Sequence, residues 1–319
     1  MFVASDNPTP PNFKYIRDED EEAYVTWTKT HIENFFPLCL PPLFHYTTGA
    51  GLIEIIKSGE LRSTHVNCLN DASEWLYSRA RLRARVNQKL ASPLSPKAKF
   101  LLEKITTELR TPLLGIWPWF VSCFTEDGDD LSQWRAYGSG EGGYAIEFDS
   151  VHLRALSHHD QVILGNVKYD EKLQDSFFDD LLNHTITFFL DGIKKRRAPT
   201  TEEWMSEFLL CWSWHVAMFA PLIKHPKFCG EREWRLLYPF QDEAIPRMRY
   251  LQRSSMMTKH VSLRLMMRDG EPRLPLKGVV VGPCRHKEIS RLSVGDLLRT
   301  HGYFGDYYVS TTRIPYQMV

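Results

Sequence analysis

The sequence predicts an α+β chain, and three observations predict it. Short runs that alternate or stay apolar recur at 43–47, 61–66, 117–124, 144–148, 162–169, 231–238, 248–251, 261–265, 279–281 and 307–312, which is the patterning of strands. Helical patterns stand between them, opened by capping residues and closed by glycine or proline. A helix-rich stretch at about 171–223 interrupts the strands and reads as an insertion capping one side of the sheet.

In chain order, residues 1–14 read as a Pro/Asn tail. An acidic run from Asp18 to Glu22 opens a helix at the end where the helix dipole favours negative charge, and Pro37, Pro41 and Pro42 close it. Leu43 to Thr47 is the first strand, and Leu52, Ile53, Ile55 and Ile56 make a short amphipathic helix that Gly59 ends. After the strand at 61–66, Asp71 and Glu74 have capping-box spacing at the head of a helix carrying Arg79, Arg81, Arg83 and Arg85, which reads as a solvated surface. Ser95-Pro96 opens another helix with proline at its first position.

The strand 117–124 is followed by turn residues 125–130, a short helix from Leu131 to Tyr137, and a Gly-rich loop at 138–143. That loop leads into a strand and lacks the phosphate-cradling patterns, so it reads as a tight turn. Two helices follow the strand 162–169, at about 171–191 and 200–220. The second opens with a Thr200/Glu203 capping box and is apolar nearly all round, which predicts a buried core helix with His215 as a core histidine. Glu207, His215 and Pro221 interrupt it too soon for a membrane span. A helix at about 286–300 and a last strand close the chain.

Composition narrows the function classes. Lys and Arg number 39 and Asp and Glu 39, so no global field draws the chain to nucleic acid or anionic lipid; Arg79–Arg85 and Lys194-Lys195-Arg196-Arg197 remain as a local basic footprint. The six cysteines, at 39, 68, 123, 211, 229 and 284, lack C-x-x-C spacing and read as reduced thiols. With no signal pattern at the N-terminus, the expectation is a cytoplasmic protein. His158-His159-Asp160 is the densest ligand cluster, yet its loop spacing does not place ligands on one face, so no metal is expected.

Three pieces could carry chemistry. His45 lies in a strand, Tyr137 in a short helix, and Glu231 and Glu233 bracket one arginine at the mouth of a strand. Period-two alternation puts Glu231, Glu233 and Arg235 on one face, with Arg232 and Trp234 on the other. Each piece alone reads as structural, the glutamate pair as a salt-bridged edge strand.

Together the pieces resemble a known family. Phe44-His45-Tyr46-Thr47-Thr48, Asn70-Asp71, Cys123-Phe124-Thr125, Trp134 with Tyr137-Gly138, and Glu231-Arg232-Glu233-Trp234-Arg235 resemble, over about 43–312, a bacterial domain family of unknown function. The same landmarks resemble the His-Tyr-Glu arrangement of ADP-ribosyltransferases. That resemblance implies an ADP-ribosyltransferase-like split, mixed and mostly antiparallel sheet with surrounding helices over 43–319, preceded by a tail and helix at 1–42. It implies NAD as substrate, with Glu233 and Glu231 as catalytic residues and His45, Thr47, Tyr137, Trp134 and Arg235 as cofactor-binding residues. His45 and Thr47 would hold the adenine-side ribose, Tyr137 would stack on nicotinamide, Glu233 would stabilise the developing ribosyl charge, and Glu231 would position the acceptor. His45 departs from the E-x-E subgroup, which carries Arg in its first strand. The partner would be a macromolecule, protein or nucleic acid, in a toxin or defence setting, with no membrane involved. Water as acceptor would make the same site an NAD glycohydrolase, and a degenerate site would be a non-catalytic nucleotide- or partner-binding domain.

Overall fold

A branch in a mostly antiparallel open sheet positions the site. The computed structural model describes residues 14–69, 73–110, 119–138, 142–159, 162–195, 197–239, 248–252, 256–265 and 274–315. Its strands are β1 (Leu43–Thr48), β2 (Glu60–His65), β3 (Trp119–Thr125), β4 (Gly143–Phe148), β5 (Ile163–Asn166), β6 (Glu233–Pro239), β7 (Met248–Gln252), β8 (Met257–Arg264), β9 (Leu276–Val281) and β10 (Tyr308–Thr311). They lie in the order β10-β9-β4-β1-β3-β2-β8-β7, with β6 beside β3 and β5 beside β6. β9 and β10 run parallel; β1 and its neighbours run antiparallel.

β3 is the branch point. One edge pairs along its whole length with β6, from Trp119↔Pro239 to Thr125↔Glu233. The other edge is shared, because β1 meets it at Phe44↔Thr125 while β2 meets it at Thr64↔Val121 and His65↔Phe120. The sheet thus parts into a β1-β4-β9-β10 wing and a β5-β6-β3-β2-β8-β7 wing, bridged in sequence by α2 (Gly49–Ser58). Thr48 caps α2 by accepting from Gly51 N, and Gly59 closes it at φ +64°, a conformation that glycine adopts without steric cost.

Antiparallel partners project to the same face, so register sorts the side chains. Trp119, Val121 and Leu237 pack under α3 (Ser73–Leu90), α4 (Pro96–Glu108), α7 (Glu171–Lys194) and α8 (Thr201–Phe219). Phe120, Phe124, Trp234 and Leu236 take the opposite face with α2, α6 (Ser150–His159) and α9 (Lys287–Thr300). α5 (Leu131–Tyr137) lies against β1 and β4, where Trp134 meets the Tyr46 ring at 4.5 Å.

The apolar helix predicted at about 200–220 is this α8, and Trp204, Phe208, Trp212 and Phe219 are fully buried in the larger core. Burial of side chains this size stabilises by about 1.5–3 kcal/mol each. Its Thr200/Glu203 capping box forms, and Gly192 lets α7 approach so closely that an added Cβ would lie 2.1 Å from the Trp204 ring. The side chain of His215 lies outside the described residues.

Two expectations need correction. His158 and His159 end the helix α6 rather than sitting in a loop; their side chains and Asp160 lie outside the described residues. The arginines of α3 are not simply solvated: Arg81 and Arg85, four apart and therefore on one helix face, reach Asp175 and Asp179 of α7. α1 (Asp18–Glu33) packs on the rest of the chain: Ile16 and Ile32 join the larger core and the Trp27 indole stacks 3.9 Å from His184 of α7. Asp71 of the expected capping box lies outside the described residues, while the Glu74 carboxylate turns inward to Lys224 and Arg235.

Candidate functional site

At the head of β6 the chain is turned sharply. A 3-10 segment, Pro226–Glu231, ends at Arg232, which adopts φ +43°, an uncommon conformation for a residue with a side chain. This turn lifts Glu231 out of the strand, so the strict alternation expected for 231–235 begins only at Glu233. Glu233 and Arg235 do share a face, the one that carries Cys123 and Thr125 of β3. Upstream, Lys168 N–H donates to Leu222 O at 2.8 Å and Lys224 N–H donates to Lys168 O at 3.2 Å, which sets the Lys224 side chain over the head of β6.

These residues build an ionic cluster. Arg235 Nε donates to Glu233 Oε1 at 2.8 Å and Nη2 to Oε2 at 2.9 Å, a bidentate pair. Arg235 Nη1 reaches Glu74 Oε2 at 2.8 Å and Pro221 O at 2.6 Å. Lys224 Nζ draws together Glu74 Oε1 at 3.0 Å, Glu231 Oε2 at 2.5 Å and Glu233 Oε2 at 3.2 Å. Three carboxylates face two cations, which leaves one negative charge in excess.

Burial decides where that charge is felt. Glu233 is 7% exposed; burial alone would raise its pKa, but the charge and hydrogen bonds of Arg235, then Lys224 and a bond from Cys123, hold it down at about 2. Burial likewise drives the Cys123 thiol well up, so it stays protonated and donates. Glu231, whose side chain keeps 33% of its exposure, is the outermost carboxylate. Its pKa is raised, by burial first and then by Glu233 and Glu74, against the pull of Lys224.

Two tyrosines frame this group. Tyr137 at the end of α5 is 41% exposed, and burial together with the negative charges of Glu233 and Glu231 pushes its pKa up to about 12. Tyr169 accepts the Glu233 backbone N–H at 3.0 Å and feels the same two glutamates and Lys224. Phe228 lies 5.0 Å from Lys224 Nζ and is also partly exposed.

The structure therefore brings Tyr137, Glu231, Glu233 and Arg235 together and separates His45 and Thr47 from them. Phe44 shares a face with Thr125 and Glu233, so His45 and Thr47 project to the opposite face. There His45 packs edge-on against Phe124, its Nδ1 hydrogen-bonded to Cys123 O at 2.9 Å beside the fork where β1 and β2 part. Thr47 Oγ1 crowds Gly51 of α2. The structure does not bring these two expected ribose-binding residues to the cluster. Trp134 has no exposed surface and donates Nε1–H to Asp129 Oδ1, so it supports α5 from beneath and does not meet a ligand. Arg235 is buried with all its nitrogens engaged, so it orders Glu233 and cannot hold a cofactor directly.

Sequence reasoning missed Lys224, Glu74 and Tyr169. Nothing in their local patterns marks them, because each reaches the cluster from a different element. The basic footprint is largely neutralised, with Lys195 on Asp191 and Arg197 on Asp20, while Arg196 lies outside the described residues. Among the described residues no helix is long and apolar enough to cross a membrane.

Residues 133–236 match the model of a family described as protein of unknown function (DUF2971). The matched span runs from α5 to β6, so it holds Tyr137, Glu231, Glu233, Lys224 and Tyr169 but not His45, Thr47 or Glu74. It is narrower than the 43–312 resemblance read from the motifs. No curated protein and no solved structure matches the chain.

Proposed function

We propose that the surface carrying Tyr137 and Glu231 binds NAD and cleaves its nicotinamide–ribose bond, passing ADP-ribose to a macromolecular acceptor. One arrangement supports this reading: a partly exposed tyrosine and a partly exposed carboxylate of raised pKa, distant in sequence, lie within electrostatic reach of each other beside a cluster with one excess negative charge. An oxidised nicotinamide ring is flat and cationic, and both features suit a phenol face backed by negative charge.

In the reaction the C–N glycosidic bond breaks and its electron pair leaves with nicotinamide, which becomes neutral. Positive charge moves onto the ribose, where a nearby carboxylate stabilises it more than it stabilises the ground state. The acceptor then bonds to the ribose carbon and gives its proton to Glu231, whose raised pKa suits it to act as base. Glu233 keeps a different part. Its oxygens are engaged by Arg235, Lys224 and Cys123, so it fixes the cluster while Glu231 faces substrate.

That saturation also favours a second reading, a site that binds the nucleotide without turnover. The deciding experiment incubates the purified chain with NAD labelled in the nicotinamide and in the adenylate, with and without cell lysate. Released nicotinamide with adenylate label on a macromolecule is the expected result. Release without transfer means water is the acceptor; calorimetric binding without release means the second reading holds, and neither binding nor release ends both.

A further inference from the structure

Glu74 is largely shielded from solvent. It is 9% exposed in the first turn of α3, and its two oxygens are divided between Lys224 Nζ and Arg235 Nη1. Lys224 is thereby shared: Glu74 Oε1 lies 3.0 Å from the same ammonium that Glu231 Oε2 approaches at 2.5 Å. Were Glu74 neutral, two carboxylates would face two cations and Glu231 would be an ordinary ion-pair partner of Lys224.

We propose that Glu74 is a positioning residue that makes Glu231 a proton acceptor, by competing with it for Lys224 and adding the one uncompensated negative charge of the cluster. The inference rests on Glu231 being the group that faces substrate.

The physical reason is the cost of buried charge. Glu233 and Glu74 are largely shielded from water, and each is held by Arg235 as well as by Lys224, whereas Glu231 has Lys224 alone of the two cations. The least clamped carboxylate, Glu231, is where a proton relieves the excess. Among the described residues, the titratable groups that α5, β3, β6 and the segment after β5 bring toward Glu231 leave this balance in place. Tyr137 of α5, Tyr169 after β5 and Cys123 of β3 all have raised pKa values through burial and stay neutral at physiological pH, and Arg235 stays charged.

The test titrates Glu231 directly by carbon-detected NMR of side-chain carboxyls in the full chain, with Glu231→Gln used to assign the signal. In wild type the midpoint should stand above the ordinary glutamate range, and in Glu74→Gln it should fall by about one pH unit or more. Glu74→Asp keeps the charge and should keep the raised midpoint, so it decides the matter if the glutamine variant fails to fold. The acidic limb of the nicotinamide-release profile should move with the midpoint. A Glu231 midpoint unchanged in Glu74→Gln, or one in Glu74→Asp fallen to the ordinary range, overturns the proposal and leaves Glu74 a structural residue. If the midpoint moves but wild type releases no nicotinamide, the charge coupling stands and the catalytic reading falls.

Discussion

Glu233 and Arg235, two residues apart on β6, lie side by side on one face and close a bidentate ion pair of 2.8 and 2.9 Å. The pair is buried, so its value lies in mutual compensation. Removing one partner strands the other charge away from water, and Arg235→Met should destabilise the fold by about 3–5 kcal/mol. Urea unfolding at neutral pH measures this. The pH dependence has a definite sign. Glu233 titrates lower folded, at about 2, than unfolded, so its contribution is complete above the unfolded value near ~4.3 and is lost as pH falls toward 2. Glu233→Gln should flatten that acid limb.

Glu231→Gln should act on chemistry instead. The side chain is partly exposed, so the fold should persist while turnover drops by roughly 10²-fold or more with NAD still bound. Tyr137→Ala should weaken NAD binding and Tyr137→Phe should keep it, since the ring face and not the hydroxyl meets nicotinamide. Calorimetry beside a nicotinamide-release assay reads both. Equal affinity for oxidised and reduced nucleotide would count against a site that selects a cationic ring.

His45 offers a test of this separation from the cluster. Its Nδ1 satisfies the Cys123 carbonyl beside the fork of the sheet, and His45→Ala leaves that acceptor unpaired. A stability loss of about 1–3 kcal/mol is expected, with NAD affinity unchanged in protein that remains folded. A selective loss of NAD affinity would restore His45 as a ligand.

Lys168 predicts a slope at mild alkaline pH. It is buried with Nζ on Asn166 O at 2.8 Å and Oδ1 at 2.7 Å, and burial lowers its pKa to about 7. Above that value the folded chain has shed a proton that the unfolded chain still holds, so stability should rise with pH from about 7 to 8. Beyond ~8.5 the raised pKa of Cys123 works in the opposite direction. Melting temperatures of wild type and Lys168→Met at pH steps of about half a unit check it; only wild type should climb.

The sequence alone determined what depends on neighbours along the chain. Hydrophobic period located β1, β3 and β6, the Thr200/Glu203 box opened α8, and Gly59 closed α2, because each signal lies within a few residues of the structure it specifies. It also brought Glu233 and Arg235 to one face, since that follows from a period of two.

Tertiary structure decided the rest. Whether His45 meets Glu233 depends on which residue of β1 stands opposite Thr125, and a shift of one residue in that register reverses the face. Glu74 was legible as a helix-start residue, yet α3 packing carries its carboxylate inward to Lys224 and Arg235. Glu231 looked like the twin of Glu233 until the left-handed turn at Arg232 lifted it from the strand. A charge acquires its role from burial and from the other charges within a few ångströms, and those distances are set by long-range packing that no local pattern encodes.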